Sequence, residues 1–232
     1  MQNDEFAFLY KKQTKFVLKL FSVLKNKIKC YNYYFDYSLS FHSDFFKLGK
    51  NTYLEGYFQS EKYFLNHRKQ LVLDFCIDPN QLDNGFVEKI KNSESVGIHF
   101  RQGDYSDKKV ANERHGICSI DYYKKSIELI QKKMKTTLSF FVFSDNISFA
   151  KEQLKKISAD FTFIENAGPE GYIKDFSMMK ICKHQIIANS TFSWWAAWLN
   201  ENSDKIVIAP QRWLNDIRIE TMDVIPESWI KI

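Results

Sequence analysis

The sequence predicts an α/β protein whose C-terminal part is a doubly wound parallel sheet. Three observations predict it. Between residues 95 and 210, short apolar runs alternate with longer amphipathic ones. The apolar runs are nearly continuous, as strands buried on both faces are, rather than alternating apolar with polar. The first four of these runs end in polar residues, where open α/β sheets hold their ligands.

The elements follow in order. Residues 96–101 form a short apolar strand. Residues 120–135 are an amphipathic helix, with Ser119 or Asp121 as its cap. Residues 138–144, Leu-Ser-Phe-Phe-Val-Phe-Ser, are rich in the aromatic and β-branched side chains that strands favour. Helices over 147–157, 170–183 and 192–200 then alternate with strands over 161–165, 185–189 and 205–209.

The N-terminal stretch is aromatic and irregular. Residues 15–29 carry Phe16, Val17, Leu20, Phe21, Leu24 and Ile28 at helical spacing, surrounded by Lys15, Lys19, Lys25, Lys27 and Lys29. This basic amphipathic helix either packs on its own domain or docks on a membrane surface. The polar segment from Asp78 to Asn84 is a linker or long turn, and a helix over 86–91 follows it. The expected division is therefore 1–90 and 91–232.

Composition narrows the function. The 232 residues are 44% hydrophobic and 16% aromatic, enough to build a core. Lys and Arg number 33 against 28 Asp and Glu, a net charge of +5. That mild excess suits an anionic ligand or a membrane surface, and the lysines form no stripe for nucleic acid. The four cysteines, Cys30, Cys76, Cys118 and Cys182, are scattered without zinc-site spacing. The chain opens with no signal-peptide core and contains no apolar run of membrane-spanning length, so a cytoplasmic protein is expected.

The polar strand ends supply the candidate site. The first strand runs through His99 into Arg101, Gln102, Gly103 and Asp104. The second ends at Ser144, Asp145 and Asn146, the third at Glu165 and Asn166, and the fourth at Asn189, Ser190 and Thr191. Ser190 and Thr191 stand where they cap the next helix, and a helix N-terminus also suits phosphate. Arg101 would add a guanidinium clamp, or else pair with Asp104 or Asp145. Gly103 marks a tight turn or a close ligand approach. His99 is either a structural strand histidine or a ligand contact. Asp175, early in its helix, either offsets the helix dipole or binds ligand. Met178 and Met179 read as core. Trp194, Trp195 and Trp198 read as packing before they read as a stacking platform. No G-x-G-x-x-G, P-loop or Asp-x-Asp pattern occurs, so a bound diphosphate would be neutralised by Arg101 and backbone dipoles.

These motifs carry a resemblance. His99-Phe100-Arg101-Gln102-Gly103-Asp104-Tyr105 resembles the HxRRGDY segment of the α-1,2-fucosyltransferases, glycosyltransferase family 11. Phe141 to Asp145 resembles that family's second motif. Asp175 through Cys182-Lys183-His184 and on to Phe192-Ser193-Trp194-Trp195-Ala196-Ala197 resembles the third. Tyr53 to Phe64 is similar to the segment linking the two halves of bacterial members.

The resemblance implies a two-domain GT-B-type fold that transfers L-fucose from GDP-fucose to a galactose 2-hydroxyl, with inversion and no cofactor or metal. By position, Arg101 corresponds to the residue gripping the donor β-phosphate. His99 and Asp175 correspond to positions near the guanosine. Ser190, Thr191 and Ser193 lie in the segment lining the diphosphate, next to Asn189 and Gly103. Asp104 is the first candidate for the base, ahead of Asp145 and Asp107.

Two departures stand out. Gln102 replaces the family's second arginine, and the opening Gly-rich segment is missing. The latter reads as an incomplete N-terminal, acceptor-side domain. The expected partners are GDP-fucose and a galactose-terminated glycan, with peripheral contact at the cytoplasmic face of the inner membrane and no nucleic acid. The alternatives are a non-catalytic nucleotide-sugar or glycan-binding remnant, or a GT-B transferase using another sugar nucleotide.

Overall fold

The computed structural model describes residues 32–36, 38–77, 81–102, 116–166, 168 and 170–232. The helix expected over 15–29 lies outside them, as do Asp78 to Asn80 of the expected linker. The described residues fall into two compact units, 32–36 with 42–57, and 38–41 with 58–232. Residues 58–90 thus share a unit with the predicted sheet, whereas the sequence reading draws its boundary at 90.

In the first unit, β1 (Asn32–Phe35) and β2 (Thr52–Glu55) pair in parallel, with Tyr33 opposite Tyr53. Those two rings stack with centroids 5.6 Å apart. The pairing continues where the Asp36 N–H donates to the Glu55 carbonyl at 2.8 Å. Gly56 turns at φ 147°, and a Cβ there would lie 2.4 Å from the Asp36 Cβ, so only glycine fits.

The second unit is built on six parallel strands. They are β3 (Ser95–Phe100), β4 (Ser139–Ser144), β5 (Phe161–Phe163), β6 (His184–Ile186), β7 (Val207–Ala209) and β8 (Ile230–Lys231). Their spatial order is β5-β4-β3-β6-β7-β8. The chain therefore starts at β3, winds outward to β5, then returns to the other side of β3 and winds outward again. The helices are α1 (Arg68–Asp74), α2 (Asn84–Lys91), α3 (Ile120–Met134), α4 (Ile147–Leu154), α5 (Gly171–Ile181) and α6 (Thr191–Leu199). None among the described residues is long and apolar enough to cross a membrane.

Alternate strand residues feed two cores. On one face, Phe141 and Phe143 meet Ile90 of α2, Met178 and Met179 of α5, and Trp194 and Trp198 of α6. On the other, Val96, Ile98, Phe100 and Val142 meet Tyr123, Ile127 and Ile130 of α3 and Ala150 and Leu154 of α4. All six residues of β3 are buried, which explains a strand that reads as continuous apolar sequence. Gly97 lets α5 approach this strand, since a Cβ there would sit 3.2 Å from the Cys182 Sγ and 3.3 Å from the Met179 Cγ. Met178 and Met179 are core, as expected, and each fully buried side chain of this size contributes about 1.5–3 kcal/mol.

The helix ends are satisfied in different ways. The Ser119 Oγ accepts from the Tyr122 N–H at the start of α3. Asp83 caps α2, so the polar segment ends in a helix start rather than running through Asn84. α6 departs from expectation: Ser190 holds the N-cap position, but its side chain makes no capping bond, and Thr191 is already helical. Its C-terminus is held instead. Arg68 donates from Nη2 to the Trp198 and Asn200 carbonyls at 3.0 and 2.8 Å. Lys205 donates from Nζ to the Ala197 and Asn200 carbonyls at 2.8 Å each. Burial pushes the Lys205 ammonium down to about 8, helped by the Arg68 charge.

Gly171→Ala puts a methyl group 2.1 Å from the Asn166 carbonyl oxygen, and is expected to cost about 1–3 kcal/mol. A urea midpoint equal to wild type would reject this. Arg68→Met removes two hydrogen bonds to carbonyls at the end of α6 that Lys205 still reaches, and is expected to lower stability by about 1–3 kcal/mol. Equilibrium urea unfolding followed by tryptophan fluorescence measures it.

Candidate functional site

Strand order reverses between β3 and β6, which are hydrogen-bonded neighbours with Ile98 opposite Ile186. Ligands of open α/β sheets bind at the carboxyl ends flanking such a reversal. Here those ends are Arg101 and Gln102 after β3, and residues 187–190 leading into α6. Of the sequence-predicted residues, Arg101, Asn189 and Ser190 belong to these two segments, His99 lies in β3 just before the first, and Thr191 and Ser193 open α6 just after the second. Gly103, Asp104 and Asp107 lie outside the described residues.

On the β3 side, register carries Phe100 opposite Ser144 of β4, so Arg101 and Asp145 leave the sheet side by side. The Arg101 Nη1 stands 3.6 Å from the Asp145 Oδ2, and both side chains are about one-third exposed. The Asp145 Oδ1 accepts from the Gln102 N–H at 2.9 Å. Asn146 donates from Nδ2 to the Gln102 Oε1 at 2.7 Å, and its own Oδ1 accepts from the Phe149 N–H at the start of α4.

His99 is 3% exposed. Its ring lies 5.1 Å from the Phe192 ring of α6, which ties β3 to the first turn of that helix. Its Nδ1 has no hydrogen-bond partner among the described residues. Burial pushes its pKa down to about 4, with Asp145 opposing and Arg101 reinforcing the shift. The backbone beneath it is fixed by the Tyr123 hydroxyl, which donates to the His99 carbonyl at 3.0 Å.

On the β6 side, two of the polar side chains are engaged with backbone. Asn189 donates from Nδ2 to the Gly116 and Trp213 carbonyls at 3.2 and 3.3 Å, and its Oδ1 accepts from Cys118 at 3.4 Å. The Ser193 hydroxyl is buried against the Ala188 and Ser190 carbonyls at 3.4 and 3.2 Å. These two side chains shape the turn. Thr191 is exposed and Ser190 half-buried at the helix entrance. Trp194 and Trp198 are buried in the core and Trp195 is packed against it, in keeping with the packing reading.

Asp175 sits in the second turn of α5. It is half-buried, and burial raises its carboxyl to about 6, against the lowering effect of the Asn166 amide that donates to it at 2.7 Å. Asn166, Asn146, Tyr123 and Phe192 are the supporting residues that the sequence did not single out for these roles. The strand-end position of both asparagines was the available signal.

Protonation gives this site a testable signature. Between about pH 6.5 and 4 the unfolded chain carries a proton on His99 that the folded chain refuses, so stability falls as pH falls through that window. A shift of this size corresponds to about 3 kcal/mol. Asp175 acts oppositely: between pH 3.8 and about 6 the folded chain keeps a proton that the unfolded chain has lost, so its contribution to stability rises as pH falls. His99→Phe is therefore expected to gain on wild type by up to about 3 kcal/mol between pH 7 and 4. Urea unfolding at both pH values measures the difference, and a constant offset rejects the assignment.

A model of glycosyl transferase family 11 matches residues 12–232. An alpha-1,2-colitosyltransferase of Escherichia coli is 38% identical over 181 residues, covering 76% of this chain and 61% of that protein. The O-antigen biosynthesis glycosyltransferase WbnK of Escherichia coli is 34% identical over 192 residues, covering 79% and 62%. Galactoside alpha-(1,2)-fucosyltransferase 2 of Bos taurus is 24% identical over 158 residues, covering 65% and 46%. The chain spans about three-fifths of the length of the two bacterial relatives. With a family match over nearly its whole length, the chain belongs to glycosyl transferase family 11.

Proposed function

We propose that this protein transfers L-fucose from GDP-fucose to the 2-hydroxyl of a terminal galactose, inverting the anomeric centre and using no metal ion. The observation that carries the reading is the strand-order reversal that brackets Arg101 and the entrance to α6. A guanidinium and a helix N-terminus facing one crevice suit a diphosphate. In the reaction a carboxylate, Asp104 first among the candidates, removes the acceptor proton. The galactose oxygen then bonds to fucose C1 as the bond from C1 to the β-phosphate oxygen breaks. The electron pair departs with GDP, whose added charge Arg101 and the α6 terminus stabilise. His99 and Asp175 contact the guanosine, Gly103 allows close approach, and Asn189, Ser190, Thr191 and Ser193 form the diphosphate turn.

Donor binding is assigned to residues 91–232, which share a compact unit with residues 58–90. An O-antigen unit as the acceptor is supported by the name of the WbnK relative. The relative named a colitosyltransferase favours one second reading, a colitosyl donor in place of fucosyl.

Calorimetric titration with GDP-fucose, with UDP-galactose as control, tests the proposal. Micromolar binding of GDP-fucose alone is expected. Arg101→Ala is expected to remove nearly all transfer, since losing one such donor costs about 3–4 kcal/mol of transition-state stabilisation. Retention of more than a tenth of wild-type activity rejects the clamp, and a rate insensitive to Asp104→Asn rejects that base. Preference for a colitosyl nucleotide in direct competition would replace the fucosyl reading.

A further inference from the structure

We infer that Asp145, a base candidate on sequence grounds, is instead a positioning residue that holds the Arg101 guanidinium for the donor diphosphate. The inference rests on the donor-site reading above.

The geometry is that of a bracket. Asp145 reaches two consecutive residues of the neighbouring strand end, the Arg101 guanidinium through Oδ2 and the Gln102 N–H through Oδ1. A carboxylate with both oxygens turned to a cation and an N–H is poorly placed to accept a proton from an incoming hydroxyl. At 3.6 Å the contact is a charge pairing longer than a direct hydrogen bond, and it orients the guanidinium.

The bracket is anchored in turn. Asn146, the next residue, holds the Gln102 side chain and caps α4, while its N–H donates to the Ser144 Oγ at 3.0 Å. Register fixes the spacing, because His99 opposes Phe143 and Phe100 opposes Ser144. Position 102, where an amide replaces the family's second cation, thereby acquires a role. Through its backbone N–H and its side chain, Gln102 joins the ends of β3 and β4.

The test uses the full chain with GDP as probe. Asp145→Asn keeps an acceptor for the Gln102 N–H and removes the charge, so it is expected to fold normally and bind GDP about tenfold more weakly. In an Arg101→Ala background the same change is expected to cost nothing further, and Asp145→Glu is expected to restore part of the affinity. In turnover, Asp145→Asn raises donor KM far more than it lowers kcat and leaves the acidic limb of the pH profile in place. Unchanged GDP affinity, additive losses in the double variant, or loss of that limb with unchanged affinity would each overturn the inference. NMR of the Arg101 Nε–Hε group decides independently of any ligand. It is expected to be ordered in wild type and mobile in Asp145→Asn, and an unchanged signal overturns the inference. A wild type that fails to bind GDP rejects the donor reading instead, and the NMR outcome still tells whether Asp145 positions Arg101.

Discussion

Everything at the candidate site depends on the pairing of β3 with β6. Sheet growth starts at β3 and proceeds both ways from it, so the segments that follow β3 and β6 leave the sheet together and diverge onto opposite faces. This juxtaposition is a consequence of topology rather than of any one side chain. The pairing is in turn enforced by burial. A strand with all six residues out of water has no solvated face, so it must be covered by helices on both sides. Gly97 permits one cover to sit close, and Tyr123 fixes the other by bonding its hydroxyl to the His99 carbonyl.

The site's electrostatics divide between its two halves. The β3 side carries the charges, Arg101 and Asp145, in a partly exposed setting where each modulates the buried His99. The β6 side carries almost none. Its polar groups are backbone dipoles, held in shape by Asn189 and Ser193. The candidate site is therefore divided between a charged strand end and a turn shaped by backbone, and the two differ in what a substitution does to them. A change at Arg101 alters charge, while one at Asn189 alters the path of the chain.

Most of the second unit was legible because its signals are local. Runs such as Phe140 to Phe143 are buried on both faces and read as strands without reference to anything distant. The helix starts at Ser119 and the strand end at Asp145 were likewise written in neighbouring residues. What escaped depends on distant partners. β8 is two residues long and exists only because Ile230 pairs with Ile208. The β1 and β2 pairing needs two strands 20 residues apart to meet in register. The hydroxyl of Ser190 looked like a cap by position, yet its geometry leaves the helix to be stabilised elsewhere. Asp104 and Gly103, central to the motif, lie outside the described residues, so the motif's own loop stays a matter of sequence.

The unequal ends of α6 have one more consequence. Arg68 and Lys205 tether the last carbonyls of the helix from outside the motif, and Arg68 also lies 5.4 Å over the Trp198 ring, whose Nε1 donates to Glu61 at 2.8 Å. The helix is thus fastened at the end remote from the crevice. Residues at its entrance are relieved of holding it together. Root and mouth of the helix therefore answer to different constraints, side-chain tethers at one and the pairing of β3 with β6 at the other.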